Sequence, residues 1–324
     1  MLSSEHISRY KSLDFYARQV VEGFITGRPK SPFHGFSVEF SDYRQYNSGE
    51  STKNIDWHLY GRTDRLYVKQ FEEETNLRCQ LLIDQSSSML FPTECHGDIE
   101  HPNKLTFAVY AAAVLIEILH RQRDAFGLSL FSGQIDQQTP CRSSSVHQQY
   151  LLGLLDNLLN TVETRPAASP QGPAASLQSN IPEALHLTAE QLHKRSLVVL
   201  FTDAFTNSAT QSPSHSDTQE ALFDALRHLR HNKHEVIIFH TYDFAHEVNL
   251  DYDSRPHLFI DLESGRQLKV QPEEVADNYR RQMTDLFATL RQRAMQYHID
   301  YVPVDIAQGF HQILLPFLLK RSKI

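Results

Sequence analysis

From Leu77 onward, apolar runs of strand length alternate with longer segments of helical period. This alternation is typical of a parallel β-sheet with helices on both faces. The runs predicted as strands cover residues 77–84, 126–132, 196–203, 234–241 and 298–305. The segments predicted as helices cover residues 104–123, 146–160, 181–193, 218–232, 272–297 and 308–320. The pattern therefore predicts an α/β fold with a doubly wound, mostly parallel sheet.

The first 75 residues follow a different pattern, with a helical stretch at 13–24 and short alternating segments after it. Ile55, Trp57 and Leu59 share one face of a predicted strand, and a turn at 62–65 leads into a second strand. We expect two domains, an N-terminal helix plus β module at 1–75 and an α/β domain at 76–324. Trp57 is the only tryptophan, and we expect it to pack the small module onto the larger domain.

Composition excludes several classes of function. With 39 acidic and 31 basic residues the chain carries a formal charge of −8, which argues against a nucleic-acid surface. The 12 glycines form neither a dinucleotide-binding fingerprint nor a P-loop. Three scattered cysteines favour a reducing compartment, so we expect a cytoplasmic protein. The longest apolar stretch, 108–119, is too short to span a bilayer, and we expect no membrane anchor and no secretory signal.

Oxygen-bearing side chains are predicted to converge at one edge of the sheet. Asp84 ends the first predicted strand and begins a D-x-S-x-S pattern with Ser86 and Ser88, and Asp203 ends another strand. Ser179 lies just before the helix that begins near residue 181. Carboxylates and hydroxyls are ligands for a hard dication, so Mg²⁺ or Mn²⁺ is the predicted cofactor. Helix or turn caps built from the same residues remain an equal alternative on this pattern alone.

Three polar loops, at 91–103, 164–179 and 206–217, are predicted to surround this edge. A phosphatase with Asp84 as nucleophile is a competing interpretation, but Ser86 stands where that chemistry needs a second acid. A serine hydrolase is disfavoured because the chain has no G-x-S-x-G motif.

Other candidate ligands have simpler explanations. Zinc at Cys95, His96 and His101 is disfavoured by poor ligand spacing. Surface positions near a helix end explain the histidines at 228, 231 and 234. His240, His246 and Glu247 follow a strand that leads toward the edge of the predicted site, but a capped strand end and a polar loop are the favoured explanation.

At Asp84, Ser86, Ser88 and Asp203 the sequence resembles the von Willebrand factor A domain and its metal-ion-dependent adhesion site. The threonine of that site falls on Ser179, which keeps the hydroxyl. The resemblance implies a von Willebrand A-like fold at 76–324, a bound Mg²⁺ or Mn²⁺, and capture of a partner's Asp or Glu through the metal.

The segment SVEFSDYRQYNSGESTKNIDWHLYGRTDRLYVKQFEEE resembles the bacterial family called domain of unknown function 58. The residues that carry this signature are Arg44, Asp56, Trp57, Arg62 and Lys69, with Gly49-Glu50 standing where the family usually has Gly-Asp. The resemblance implies a non-enzymatic adaptor or co-chaperone that works with a MoxR-type AAA+ ATPase. The alternative is a divalent-metal-dependent hydrolase or phosphatase using Asp84 and Asp203.

Overall fold

The structure is a computed structural model, and it describes residues 4–26, 40–45, 57–71, 77–93, 101–164, 180–193, 195–203 and 215–321. The chain divides into two compact units, one formed by Met1–Gly23 with Leu77–Ile324 and the other by Phe24–Asn76. In chain order the elements are α1 (Ser4–Thr26), β1 (Phe40–Gln45), α2 (Trp57–Thr63), β2 (Tyr67–Phe71), β3 (Arg78–Asp84), α3 (Lys104–Arg121), β4 (Ala125–Phe131), β5 (Ile135–Gln138), α4 (Ser145–Thr164), α5 (Ile181–Gln191), β6 (Leu197–Thr202), α6 (His215–His231), β7 (Glu235–Tyr242), β8 (His257–Ile260), β9 (Gln267–Val270), α7 (Pro272–Gln296), β10 (Asp300–Asp305) and α8 (His311–Arg321).

The larger unit is built on a six-stranded sheet with the order β10-β7-β6-β3-β4-β5. Every neighbouring pair is parallel except β4 and β5, so the protein has a mixed α/β fold with a mostly parallel sheet. The five predicted strands and the six predicted helices are confirmed, with bounds that differ by a few residues. The central strands β3 and β6 are buried along nearly their whole length, which explains their continuous apolar sequences.

The chain winds outward from β3 in two directions. It first adds β4 and β5 on one side of β3, and then adds β6, β7 and β10 on the other side. The winding therefore reverses between β3 and β6, whose register pairs Ile83 with Phe201 near their carboxyl ends. Open α/β sheets bind ligands at the carboxyl ends of strands at such a reversal.

Helix α3 is deeply buried, with every residue from Lys104 to Leu119 buried except Tyr110. Helix α1 presents the buried residues Leu13, Ala17 and Val21, which are spaced as one face of a helix. The ring of Tyr16 in α1 packs edge-on against Tyr110 of α3 at 5.3 Å. Residues 1–23 therefore belong by contact with the α/β unit, which differs from the predicted boundaries of the N-terminal module.

Sequence reasoning missed three strands of the larger unit. Strand β5 is a four-residue antiparallel edge strand, and β8 and β9 form an antiparallel hairpin between β7 and α7. No residue of these three strands is fully buried. Without burial on one face, such short segments lack the apolar pattern from which strands are recognised.

In the smaller unit, β1 and β2 form an antiparallel pair in which Arg44 faces Val68. The strand predicted through Trp57 and Leu59 is wrong, because these residues begin helix α2. The Thr63 hydroxyl donates to the Leu59 carbonyl at 2.8 Å, as expected within a helical turn. Three alternating apolar residues predicted a strand here, yet α2 contains no buried residue, and Trp57 is 61% exposed rather than packed in a core.

Candidate metal centre

Asp84 lies at the carboxyl end of the central strand β3 and is fully buried. Its Oδ1 accepts the backbone N–H of Ser86 at 2.9 Å, and its Oδ2 accepts the Thr202 hydroxyl at 2.9 Å. The carboxylate is therefore held between the loop that follows β3 and the neighbouring strand β6.

The residues after Asp84 form a tight turn in which the hydroxyls of Ser86 and Ser88 point toward each other. Ser87–Leu90 is a 3₁₀ turn, and the N–H of Met89 donates to the Ser86 carbonyl at 3.1 Å. Met89 is fully buried, which anchors the turn against the core. The Oγ atoms of Ser86 and Ser88 lie 3.0 Å apart, and Ser88 is partly exposed.

Asp203 follows β6 and binds a lysine that the sequence patterns did not single out. The Lys104 ammonium lies 2.9 Å from Asp203 Oδ2 and 2.5 Å from Glu247 Oε1, and the lysine is fully buried. Lys104 is the first residue of α3, where the helix dipole disfavours a cation. Burial also opposes the ammonium, but the carboxylates of Asp203 and Glu247 outweigh it and raise the pKa of Lys104 above its ordinary value.

Glu247 lies in a π-helical turn, Phe244–Val248, that follows β7. Its Oε2 accepts the backbone N–H of Asp243 at 2.8 Å, and its carbonyl accepts the Tyr279 hydroxyl at 2.8 Å. Burial raises the pKa of Glu247, and the nearby Lys104 charge opposes this effect. The interpretation of Glu247 as a residue of a polar loop is therefore corrected, because the structure brings it into the same cluster as Asp203.

The two histidines near Glu247 differ in position. Burial lowers the pKa of His240 to about 4, so its ring is neutral at physiological pH. His246 forms an ion-pair contact with Asp243 at 2.8 Å. The His240 ring therefore adds no positive charge to the cluster of Asp84, Asp203, Glu247 and Lys104, which we call the acidic cluster.

The acidic cluster carries excess negative charge. Burial and the charge of Asp203 raise the pKa of Asp84 to about 6. Counted in their ionised forms, the three carboxylates and the Lys104 ammonium give the acidic cluster a formal charge of −2, and of the three carboxylates Asp203 and Glu247 contact the ammonium. Ionised carboxylates are costly to bury, so a bound dication would favour their ionised forms.

The serine pair fits the geometry of a small dication. Mg²⁺ binds oxygen at 2.0–2.1 Å in an octahedron, which places adjacent ligand oxygens about 2.9 Å apart. The Oγ atoms of Ser86 and Ser88, which share a hydrogen bond at 3.0 Å, lie close to this separation. Among the described residues no group of three or more His, Cys, Asp or Glu is arranged to hold a metal.

The structure thus brings together four of the five predicted ligands, Asp84, Ser86, Ser88 and Asp203, at the carboxyl ends of adjacent strands. The fifth, Ser179, lies outside the described residues, as do Cys95, His96 and most of the three predicted loops. Sequence reasoning missed Lys104. The available signal was a lysine at the start of a largely apolar helix, in the segment that follows the D-x-S-x-S motif.

Comparison with curated proteins finds uncharacterized proteins of Mycobacterium bovis and Mycobacterium tuberculosis that are 23% identical over 193 residues. The match covers 60% of this chain and 55% of each relative, so the chain spans about half of the length of the relatives it matches. No helix among the described residues is long and apolar enough to cross a membrane.

Among solved structures, the conserved hypothetical protein BatB from Bacteroides thetaiotaomicron is similar at 15% identity and a TM-score of 0.42, covering 76% of this chain and 100% of that one. An aerotolerance-related membrane protein from Bacteroides fragilis is similar at 15% identity and a TM-score of 0.41, covering 76% of this chain and 99% of that one. The family model described as protein of unknown function DUF58 matches residues 42–292, and the chain belongs to this family.

Proposed function

We propose that this chain is a non-enzymatic protein-binding module with a von Willebrand A-like α/β unit that depends on a divalent metal. The proposed ligands are Asp84, Ser86, Ser88 and Asp203, with Ser179 as the fifth. The observation that carries the proposal is the acidic cluster with a formal charge of −2 beside two hydroxyls at the spacing of octahedral ligands. The reversal of winding between β3 and β6, where ligands bind in such sheets, supports the same location.

The protein residues have different roles at such a site. Asp84 and Asp203 supply negative charge from buried positions, and the serines supply neutral oxygen ligands. Lys104 fixes Asp203 and Glu247 through short ion pairs. Mg²⁺ or Mn²⁺ bound there would provide an open coordination position for a carboxylate oxygen from a partner's Asp or Glu.

The proposed partner is a MoxR-type AAA+ ATPase in the cytoplasm, with this chain acting as its adaptor or co-chaperone. This part of the proposal rests on the family resemblance, supported by the absence of a P-loop and of a dinucleotide fingerprint from the sequence. A carboxylate on the ATPase surface would complete the coordination of the metal.

Binding of a MoxR-type ATPase encoded beside the gene tests the proposal. Affinity is measured in Mg²⁺, in EDTA, and in Mg²⁺ with Asp84→Ala, with Ser87→Ala as the matched control from the same turn. We expect binding only for the parent and the control in Mg²⁺. Equal affinity under all conditions would place the docking surface elsewhere, for example around Trp57 and Arg62.

A divalent-metal hydrolase using Asp84 and Asp203 is the alternative. The ammonium of Lys104 beside Asp203 supports this alternative, because cations stabilise the negative charge of a phosphoryl group during its transfer. Against it, Ser86 stands where that chemistry needs a second acid. Turnover of simple phosphoesters that disappears in Asp84→Asn would establish the hydrolase and overturn the binding module.

A further inference from the structure

The buried side chain of Lys104 is fixed at both of its ends. The backbone N–H of Lys104 donates to the carbonyl of Phe91, the residue that ends the 3₁₀ turn after β3, at 3.0 Å. At the other end, the ammonium binds Asp203 at 2.9 Å and Glu247 at 2.5 Å. Because no part of the side chain is exposed, the folded protein holds this positive charge in one position.

The two carboxylates that contact Lys104 are also held in place. Glu247 accepts the backbone N–H of Asp243 through its Oε2 at 2.8 Å, and its carbonyl accepts the Tyr279 hydroxyl at 2.8 Å. Asp203 is fully buried directly after β6. The ammonium therefore cannot leave the acidic cluster without breaking two ion pairs.

Asp84 has hydrogen bonds of a different kind. Its carboxylate accepts the backbone N–H of Ser86 and the hydroxyl of Thr202, and both of these donors are uncharged. The Lys104 charge thus offsets the carboxylate of Asp203 directly, whereas the donors to Asp84 bring no charge.

The charge of Lys104 determines the net charge that a bound dication would leave at the acidic cluster. With a dication, the formal charge of the acidic cluster changes from −2 to zero. If residue 104 were neutral, the same dication would leave a negative charge in a buried place. A carboxylate from a partner adds another negative charge, and a site that is already negative disfavours it.

We propose that Lys104 is a specificity-determining residue, which gives the metal site a preference for an anionic partner group over a neutral one. This inference rests on the proposed function. Lys104 acts through its charge and not as a metal ligand. It lowers the affinity for the dication, because like charges repel, and it raises the affinity of the metal-loaded site for a carboxylate. Glu247 has the opposite effect on both affinities.

A purely structural role for Lys104 would give a different result. A variant that distorts the site lowers both affinities, whereas the loss of a positive charge raises the affinity for the metal and lowers the affinity for a carboxylate. The double variant Lys104→Met/Glu247→Gln loses one charge of each sign, so it keeps the formal charge of the parent. Its two affinities should therefore return toward those of the parent if the charge is what matters.

The test measures two affinities of the full chain at pH 8. Mn²⁺ binding is measured by calorimetry. Acetate binding to the Mn²⁺-loaded protein is measured from the broadening of the acetate methyl signal in proton NMR, with protein in excess of Mn²⁺ and acetamide as the neutral probe. Lys233→Met is the matched control, because Lys233 is exposed and precedes β7, at the opposite end of the sheet from the acidic cluster.

We expect Lys104→Met to bind Mn²⁺ about tenfold more tightly and acetate about tenfold more weakly than the parent, and Glu247→Gln to show the opposite changes. The double variant and Lys233→Met should resemble the parent, and acetamide should not follow this order. If Lys104→Met does not fold, Glu247→Gln and the double variant decide the question.

Two results would contradict the proposal in different ways. Mn²⁺ binding to the parent, with both affinities of the charge variants unchanged or shifted in the same direction, would overturn the role of Lys104 and leave the metal site standing. A parent that binds no Mn²⁺ would overturn the proposed metal site and the role of Lys104 together.

Discussion

Replacing Asp84 by Asn should stabilise the metal-free protein at neutral pH. Burial and the charge of Asp203 raise the pKa of Asp84 from 3.8 to about 6. A pKa difference of this size corresponds to about 3 kcal/mol of unfolding free energy at pH well above 6. Well below the unfolded pKa of 3.8 the carboxyl is neutral in both folded and unfolded chains, so the penalty is absent there. It grows as pH rises from about 3.8 and is fully present above about 6.

An asparagine preserves most of the local hydrogen bonds. Its Oδ1 accepts the Ser86 N–H as Asp84 does, and its amide can donate to the Thr202 hydroxyl, which now donates to Asp84. Because this exchange is imperfect, we expect Asp84→Asn to gain about 1–3 kcal/mol at pH 7.5 in EDTA. The gain should shrink toward zero near pH 4.

The assay is thermal unfolding in EDTA across pH 4–8, with Asp203→Asn as the contrasting variant. Asp203→Asn removes a carboxylate from the buried Lys104 ammonium, so it should destabilise the protein by about 3 kcal/mol or more. In Mg²⁺ the parent should gain stability and Asp84→Asn should not. A metal-free Asp84→Asn that unfolds as easily as Asp203→Asn at pH 7.5 would refute the charge argument.

Three further changes have defined outcomes. Lys104→Met should destabilise the metal-free protein by about 3–5 kcal/mol, because it leaves Asp203 and Glu247 buried without their cation. Mg²⁺ should therefore raise the unfolding temperature of this variant more than that of the parent. Calorimetric Mg²⁺ affinity should fall about tenfold between pH 7 and pH 5, since protons compete at the Asp84 carboxylate, and a flat profile would contradict this. Gly127→Ala should cost about 1–3 kcal/mol in chemical unfolding, because its Cβ would overlap Gln80 Oε1 and lie 2.9 Å from the Thr139 carbonyl; no loss would show that the two strands can move apart.

The parallel sheet could be predicted from the sequence. Strands β3, β6 and β7 are buried on both faces, and burial on both faces gives continuous apolar segments. The sequence was also sufficient for placing Asp84 and Asp203 at one edge, since the carboxyl ends of parallel strands meet there. Helix α2 was misread because three alternating apolar residues, without burial, do not distinguish a strand from a helix.

Contacts between distant residues were beyond sequence reasoning. Lys104 and Glu247 are 143 residues apart, and their ion pair depends on where the turn after β7 lies relative to the start of α3. The hydrogen bond between His186 and His228 likewise forms only because α5 packs beside α6. Local patterns report the environment of one residue, whereas these pairs depend on the packing of two elements.

The central claim is a dication held by Asp84, Asp203 and the serine pair, and counting bound Mn²⁺ by electron paramagnetic resonance tests it most directly. Free Mn²⁺ is measured while the parent, Ser86→Ala, Ser88→Ala and the control Ser87→Ala are titrated at pH 7.5. We predict one Mn²⁺ per chain for the parent and for Ser87→Ala, and affinity reduced about tenfold or more when Ser86 or Ser88 loses its hydroxyl. Mn²⁺ binding of equal strength in all four proteins, or no binding to the parent, would contradict the account.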